Sequence, residues 1–161
     1  MLILNSGGTF NKRYNKINGN LEVAFDNNAI VEILRTCSFD YSLAGAVYKD
    51  SLEMNFEDRK MLADIIRESN ETIFIVIHGT DTMHLTAEFF DELFGNITII
   101  LVGSMQPFEI DKIEATLNLG IAFGFAQSNL TAGVYISMNG FIRKYTQLEK
   151  NYLKGRFEIV E

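Results

Sequence analysis

The residues able to do chemistry fall into four short polar segments, each directly after an apolar run. They are Asn5-Ser6-Gly7-Gly8-Thr9, Lys49-Asp50-Ser51-Leu52-Glu53-Met54, His78-Gly79-Thr80-Asp81-Thr82 and Gly103-Ser104-Met105-Gln106-Pro107. The chemistry this set can run is hydroxyl chemistry. A threonine attacks a carbonyl when a neighbouring base takes its proton, and a lysine with a depressed pKa can be that base. The sequence supplies Thr9, Thr80 and Asp81, plus lysines in its last segment. Other chemistries lack their parts. His78 and His84 are the two histidines, and no Gly-x-Ser-x-Gly elbow accompanies them. Two histidines and one cysteine make no metal-ligand cluster. Gly7-Gly8 lacks both the later glycine of a dinucleotide fingerprint and the Gly-Lys-Ser/Thr of a P-loop. His78, at the end of an apolar run, reads as a buried hydrogen-bonding residue.

Taken singly, each segment has a plain structural explanation. Gly-Gly-Thr suits a tight strand exit, since glycine takes positive φ without penalty. Thr80 or Asp81 suits a helix cap, Ser51 the surface and Gly103 a turn. Four such segments on one edge of a sheet favour a site instead, and the apolar runs before them place them on one edge. Leu2–Leu4, Ala44–Tyr48, Ile73–Ile77, Ile97–Val102 and Gly133–Ser137 read as strands, several apolar throughout, as strands covered on both faces are. Helical patterns lie between them at Asn27–Thr36, Phe56–Ser69, Thr82–Phe94 and Lys112–Ser128. Asn55 is placed to cap the second, and Gly95 to take the left-handed position after the third. The alternation predicts an α/β domain, a mainly parallel sheet sandwiched by helices. In such sheets ligands bind outside the carboxyl ends of the strands. Asn18-Gly19 predicts a small hairpin flap over Arg13–Val23, after the first strand, and Arg156–Val160 reads as an edge strand.

Composition narrows the partners. The chain has 161 residues, 47% of them hydrophobic and 22% charged, which fits one globular domain over 1–161. Its 14 basic and 21 acidic residues give a net charge of −7, which opposes binding to nucleic acid or an anionic membrane. Cys37 is the single cysteine, so no disulfide framework is expected. The apolar start at Met1–Leu4 is too short for a signal peptide, and the expected location is a reducing cytoplasm.

Several motifs, in order, resemble the N-terminal domain of the bacterial-type L-asparaginase/glutaminase family. Leu4-Asn5-Ser6-Gly7-Gly8-Thr9-Phe10 is similar to the family's first signature, a strand followed by Thr-Gly-Gly-Thr-Ile. His78-Gly79-Thr80-Asp81-Thr82-Met83 matches the second signature unchanged, with Thr86-Ala87 at the family spacing. Asp50-Ser51-Leu52-Glu53-Met54 is similar to Asp-Ser-Ser-Asp-Met, and Val102–Pro107 to Val-Gly-Ala-Met-Arg-Pro.

The resemblance implies roles. Thr9 is the nucleophile on a side-chain amide carbon, and Thr80 serves proton transfer and oxyanion stabilisation. Asp81 and Ser51 hold the substrate's α-amino and α-carboxylate groups. Gly8 and Gly79 belong to the loops whose N–H groups stabilise the oxyanion. Tyr14 is the tyrosine of the mobile flap. Aligning Met138-Asn139 with the family's Met-Asn-Asp puts the family's lysine at Lys150, with Lys144 and Lys154 as neighbours. The implied reaction is hydrolysis of L-asparagine or a related small amide through an acyl-enzyme, with no cofactor and no metal. The alternatives are an amino-acid-binding module that has lost catalysis, and an assembly partner of another amidotransferase chain.

Some positions depart from the pattern: Leu52 at a substrate contact, Asn5 and Ser6 before Gly-Gly, and Gln106 for arginine. The family's C-terminal domain has no counterpart in this sequence, so a homo-oligomer is expected. Phe123, Phe125, Phe141 and Tyr145 are the aromatics offered for its contacts.

Overall fold

In the computed structural model, which describes residues 1–128 and 131–160, the central element is a six-stranded sheet. Glu161, the last residue of the expected domain, lies outside the described residues. The strands are β1 (Leu2–Gly7), β2 (Lys12–Tyr14), β3 (Leu21–Val23), β4 (Ser42–Lys49), β5 (Ile73–Ile77), β6 (Thr98–Val102), β7 (Gly133–Met138), β8 (Phe141–Lys144), β9 (Leu148–Asn151) and β10 (Arg156–Ile159). The helices are α1 (Asn28–Leu34), α2 (Phe56–Glu68), α3 (Met83–Leu93) and α4 (Lys112–Ala126). The sheet runs β4-β1-β5-β6-β7-β8, parallel except for the last pair.

The apolar runs are continuous because both faces are covered, and alternate residues serve different layers. Leu4, Phe74, Val76, Ile99 and Leu101 face one core with Leu62 and Ile66 of α2 and Ala87 and Phe90 of α3. Ile3, Ile75, Ile77, Ile100 and Val102 face the other, with Ile30 and Leu34 of α1 and Leu119 and Phe123 of α4. A one-residue slip in any strand would exchange the two sets. The chain passes from β1 to β4 on one side, then crosses β1 to reach β5 on the other. The gap between the ends of β1 and β5 is therefore the topological switch point, where such sheets bind ligands.

The structure corrects several expectations. The flap is a two-stranded ribbon, but it begins at Lys12, and its turn is longer than the Asn-Gly pair implies. The Asn15 amide donates to the Asn20 carbonyl, and Asn15 and Asn18 side chains accept from Ile17 and Asn20 amides inside the turn. Gly95 has no positive φ; α3 ends with Phe94 in an extended conformation. Arg156–Ile159 is not an edge of the main sheet. It pairs with β9 in a separate ribbon, and the main sheet's edge is the antiparallel β8, which the sequence pattern does not signal. Of the aromatics offered for contacts, Phe123 is buried in the second core, Phe125 and Tyr145 are partly buried, and Phe141 lies at the surface.

β4 is longer than expected and irregular. Its pairing with β1 skips between Asn5↔Gly45 and Gly7↔Lys49, and Val47 and Tyr48 take φ of 72° and 51°. A β-branched residue in that region is strained. The kink folds the Tyr48 ring over Gly45, where a Cβ would lie 1.6 Å from the Tyr48 hydroxyl.

After β4, Asn55 caps α2 as expected and does so reciprocally. Its side chain accepts from the Asp58 amide while the Asp58 carboxylate accepts from the Asn55 amide. Asp58 also receives Lys49 at 2.8 Å. Replacing Asn55 with alanine is expected to lower stability by about 1 kcal/mol, readable by chemical denaturation, without altering the fold.

Candidate active site

Backbones meet at the carboxyl end of the sheet with no room for side chains. Gly8 has φ of 75°, and a Cβ there would fall 2.3 Å from the Gly79 amide nitrogen. A Cβ on Gly79 would fall 2.6 Å from the Ser51 side chain. A Cβ on Gly103 would fall 2.7 Å from the His78 carbonyl oxygen and 3.1 Å from Thr80 Cγ2. The four polar segments therefore touch one another, and Thr9 and Thr80 each directly follow a glycine of the closest contact. Thr9 opens a short 3-10 turn, Thr9–Asn11, and is half-buried. The Gly8 amide is committed to the Lys49 carbonyl at 2.8 Å and the Gly7 amide to the Asn5 side chain at 3.0 Å.

A charged cluster stands on the Thr80–Asp81 turn. Lys150 Nζ donates to Thr80 Oγ1 at 2.8 Å and to Asp81 Oδ1 at 2.6 Å. The lysine side chain is 10% exposed and the aspartate 30%. Tyr152 places its ring 5.1 Å from the ammonium and donates its hydroxyl to the Asp81 carbonyl. β9 delivers Lys150, held down by Leu148 and by Phe157, the residue paired opposite Lys150 on β10; both apolar side chains enter the first core. The neighbouring lysines go elsewhere. Lys144 Nζ donates to the Ala132 carbonyl and lies over the Tyr135 ring, and Lys154 pairs with Glu158.

Ser51 is fully buried, and its Oγ accepts from the amides of Asp81 and Thr82 at 3.2 and 3.4 Å. Its carbonyl accepts from the Thr82 hydroxyl at 2.8 Å. Asp50 beside it is paired with Lys12. Burial would raise the Asp50 pKa, but Lys12, the Leu52 amide and Lys150 together hold it below its ordinary value. His78 is fully buried, with Nδ1 at 2.8 Å from the Gly79 carbonyl oxygen and Nε2 at 2.9 Å from Thr86 Oγ1. Burial pulls its pKa down to about 4, the Gly79 carbonyl opposing this and Arg59 reinforcing it. His78 is thus a neutral structural link, as the sequence suggested.

Not every expected residue joins this cluster. Tyr14 is exposed on the flap, and its amide donates to Glu109. Two cavities flank the junction. One of about 480 Å³ is lined by Thr80 and Lys150 with His84, Glu88 and Tyr145. The other, of about 530 Å³, lies under the flap between Lys12, Phe25, Tyr48, Asp50 and Leu52. Neither has Thr9, Ser51 or Tyr14 in its walls. Among the described residues no group of three or more His, Cys, Asp or Glu is placed to hold a metal ion, and no helix is long and apolar enough to cross a membrane. Arg59, which sequence reasoning passed over inside a helical pattern, is the residue that bonds to the hydroxyls of both Thr82 and Thr86.

The class is an α/β domain whose strand-end loops set a lysine on a threonine–aspartate pair, at the end of the sheet where such folds bind ligands. The particular family follows from comparison: the chain belongs to the asparaginase family, whose N-terminal domain model (Asparaginase, N-terminal) matches residues 1–155. The thermostable L-asparaginase from Thermococcus kodakarensis has the same fold, with a TM-score of 0.83 at 23% identity over 99% of this chain and 50% of that one. A glutamyl-tRNA(Gln) amidotransferase chain from Methanococcus maripaludis is 31% identical over 144 residues, 86% of this chain and 34% of that protein. Glutaminase-asparaginase from Acinetobacter glutaminasificans is 34% identical over 86 residues, 52% of this chain and 26% of that protein. The chain thus spans about a third of the length of its curated relatives and half that of the solved structure.

Two outcomes follow from the junction. Gly8→Ala is expected to destabilise by about 3 kcal/mol or more, because the new methyl meets backbone and the φ is strained; thermal unfolding reads this. The His78 pKa is about 4 when folded against an ordinary 6.5, so the unfolded chain binds the proton first. Stability is therefore expected to fall by roughly 3 kcal/mol as pH drops from 6.5 to 4, and His78→Gln to lose that slope in denaturation series.

Proposed function

We propose that this domain carries the nucleophile and proton-transfer groups for hydrolysis of the side-chain amide of L-asparagine or a related small amide. The observation that supports this most is the Lys150 ammonium on both Thr80 Oγ1 and Asp81 Oδ1, one glycine contact away from Thr9. In this reading Lys150 gives one ammonium proton to water as Asp81 turns to the substrate's α-amino group; the Thr9 hydroxyl oxygen then adds to the amide carbon and its proton passes through Thr80 to the Lys150 amine. The tetrahedral intermediate collapses with cleavage of the carbon–nitrogen bond, and ammonia leaves with that proton. Water then attacks the Thr9 ester, restores the hydroxyl and releases the carboxylate. With the Gly7 and Gly8 amides already committed, the Thr9 amide and those of the Gly79–Thr80 turn are the proposed oxyanion donors. Losing one such donor costs about 3 kcal/mol in the transition state. Ser51 Oγ accepts from two amides and, among the described residues, donates to none, so its hydroxyl proton is proposed for the substrate's α-carboxylate and Asp81 for the α-amino group. Tyr14 is assigned to the flap that closes over the substrate.

A second reading draws on the curated relatives: the chain supplies amide hydrolysis within a tRNA-dependent transamidation assembly, the setting that the name of the 31%-identical amidotransferase chain gives for that protein. Co-purification with a second, tRNA-binding chain favours it. Retained stabilisation by aspartate without hydrolysis favours instead a binding module. Self-association is read by mass in solution. The exposed lone thiol of Cys37 suits a reducing cytoplasm.

Purified protein is expected to release ammonia from L-asparagine in a coupled assay. Thr9→Ala, Thr80→Val and Lys150→Met should each lower kcat by about 100-fold or more. Wild-type protein that turns over neither asparagine, glutamine nor small amides overturns the proposal.

A further inference from the structure

Arg59 is a buried cation without a carboxylate. It is 9% exposed on α2, among Leu62, Ala63 and Ile66, and among the described residues it forms no salt bridge. Its neighbour Asp58 is taken by Lys49 and the Asn55 amide. Every partner of the guanidinium is a neutral oxygen. Nε donates to Thr86 Oγ1 and Nη2 to Thr82 Oγ1, both at 2.9 Å, and Nη1 donates to the Met54 and Asn55 carbonyls, both at 3.2 Å. Taking a guanidinium out of water costs several kcal/mol, and an apolar side chain at such a position is often the more stable choice. Stability alone does not account for this residue.

We propose that Arg59 is a positioning residue that locks the Ser51 loop and the Gly79-Thr80-Asp81 loop to one another through the hydroxyls of Thr82 and Thr86. The assignment rests on the reading above that these loops hold the substrate. An arginine can only donate. Each threonine hydroxyl that accepts from it keeps its single proton for an onward bond of fixed direction. Thr82 spends that proton on the Ser51 carbonyl at 2.8 Å. Thr86 spends its own on His78 Nε2 at 2.9 Å, which makes Nε2 the acceptor and agrees with the proton that the Gly79 carbonyl requires on Nδ1. Nδ1 then donates to the Gly79 carbonyl at 2.8 Å, one residue before Thr80. One cation thus sets the sense of two relays that end on the backbones flanking the site. A residue without the guanidinium fork leaves both hydroxyls free to turn and removes the link between the loops.

The relays can be cut separately. Thr82→Val should raise KM for L-asparagine about tenfold with kcat little changed, because it releases the Ser51 loop. Thr86→Val should lower kcat about tenfold with KM little changed, because it releases the turn before Thr80. Arg59→Met should do both, and adding either valine to it should change nothing further along that arm. Arg59→Lys retains the charge and loses the fork; it should show the same losses with a melting temperature near wild type, which covers the case where Arg59→Met does not fold. The His78 ring nitrogens, read by NMR, should report an Nδ1–H tautomer with a hydrogen-bonded Nε2 in wild type, and an Nε2 shifted toward its unbonded position in Arg59→Met and Thr86→Val. Arginine variants that only melt earlier, with the wild-type Nε2 shift, KM and kcat, overturn the proposal. A wild-type protein that releases no ammonia overturns the reaction instead. The Nε2 shift, together with the dissociation constant for L-aspartate, then decides whether Arg59 ties the loops.

Discussion

The contact on which the site depends is backbone against backbone, Gly8 on Gly79. Two parallel neighbouring strands stand about 5 Å apart, and their exit loops normally diverge to make room for side chains. Here β1 ends at Gly7, Gly8 follows it, and Gly79 lies two residues past β5, so the loops stay together beyond the sheet, and Thr9 and Thr80 each follow a glycine of the contact. Ser51 packs against Gly79 and Gly103 against His78, extending the same absence of Cβ atoms across the switch point. The sheet topology supplies the place, and the glycines allow residues far apart in sequence to share it.

Charge is set into that frame from two directions. Lys150 arrives from the β9–β10 ribbon and bonds to Thr80 and Asp81 near the surface. Arg59 arrives from α2 beneath the loops and bonds only to neutral oxygens. Between them His78 stays uncharged, because burial disfavours its protonated form and a second cation is close. The upper cation touches groups able to exchange protons, whereas the lower one holds hydroxyls in fixed orientation.

The sheet was legible because both faces are apolar, so strands such as Ile73–Ile77 stand out as unbroken runs. The loop residues were legible because they follow those runs. Asn-Gly pairs mark both hairpins, with different turns. Asn18-Gly19 lies inside a longer turn held by Asn15 and Asn18 side chains, whereas Asn139-Gly140, with φ of 51° and 81°, forms the two-residue hairpin between β7 and β8. The flanking segments explain the difference: Met138 pairs directly with Phe141, a fact of tertiary register that the dipeptide does not carry. The kink at Val47–Tyr48 had no signal, since neither residue favours positive φ. Arg59 had none either, because a charged residue in a helical pattern reads as solvent-facing until the partners at Thr82 and Thr86 are known.

The ribbon that bears Lys150 is hydrogen-bonded to itself and forms no ladder with the main sheet. A two-stranded ribbon is marginal on its own. Its anchors include the plugs Leu148 and Phe157, a bond from the Phe157 amide to the Asn139 side chain, the Tyr152 hydroxyl on the Asp81 carbonyl, and the lysine's own contacts. Opening it without unfolding the parallel strands would draw those two plugs out of the first core and free the ammonium. Amide exchange along Leu148–Ile159 would then report availability of the ammonium, and any ligand gripping Thr80 and Asp81 would slow that exchange at a distance from its own binding atoms.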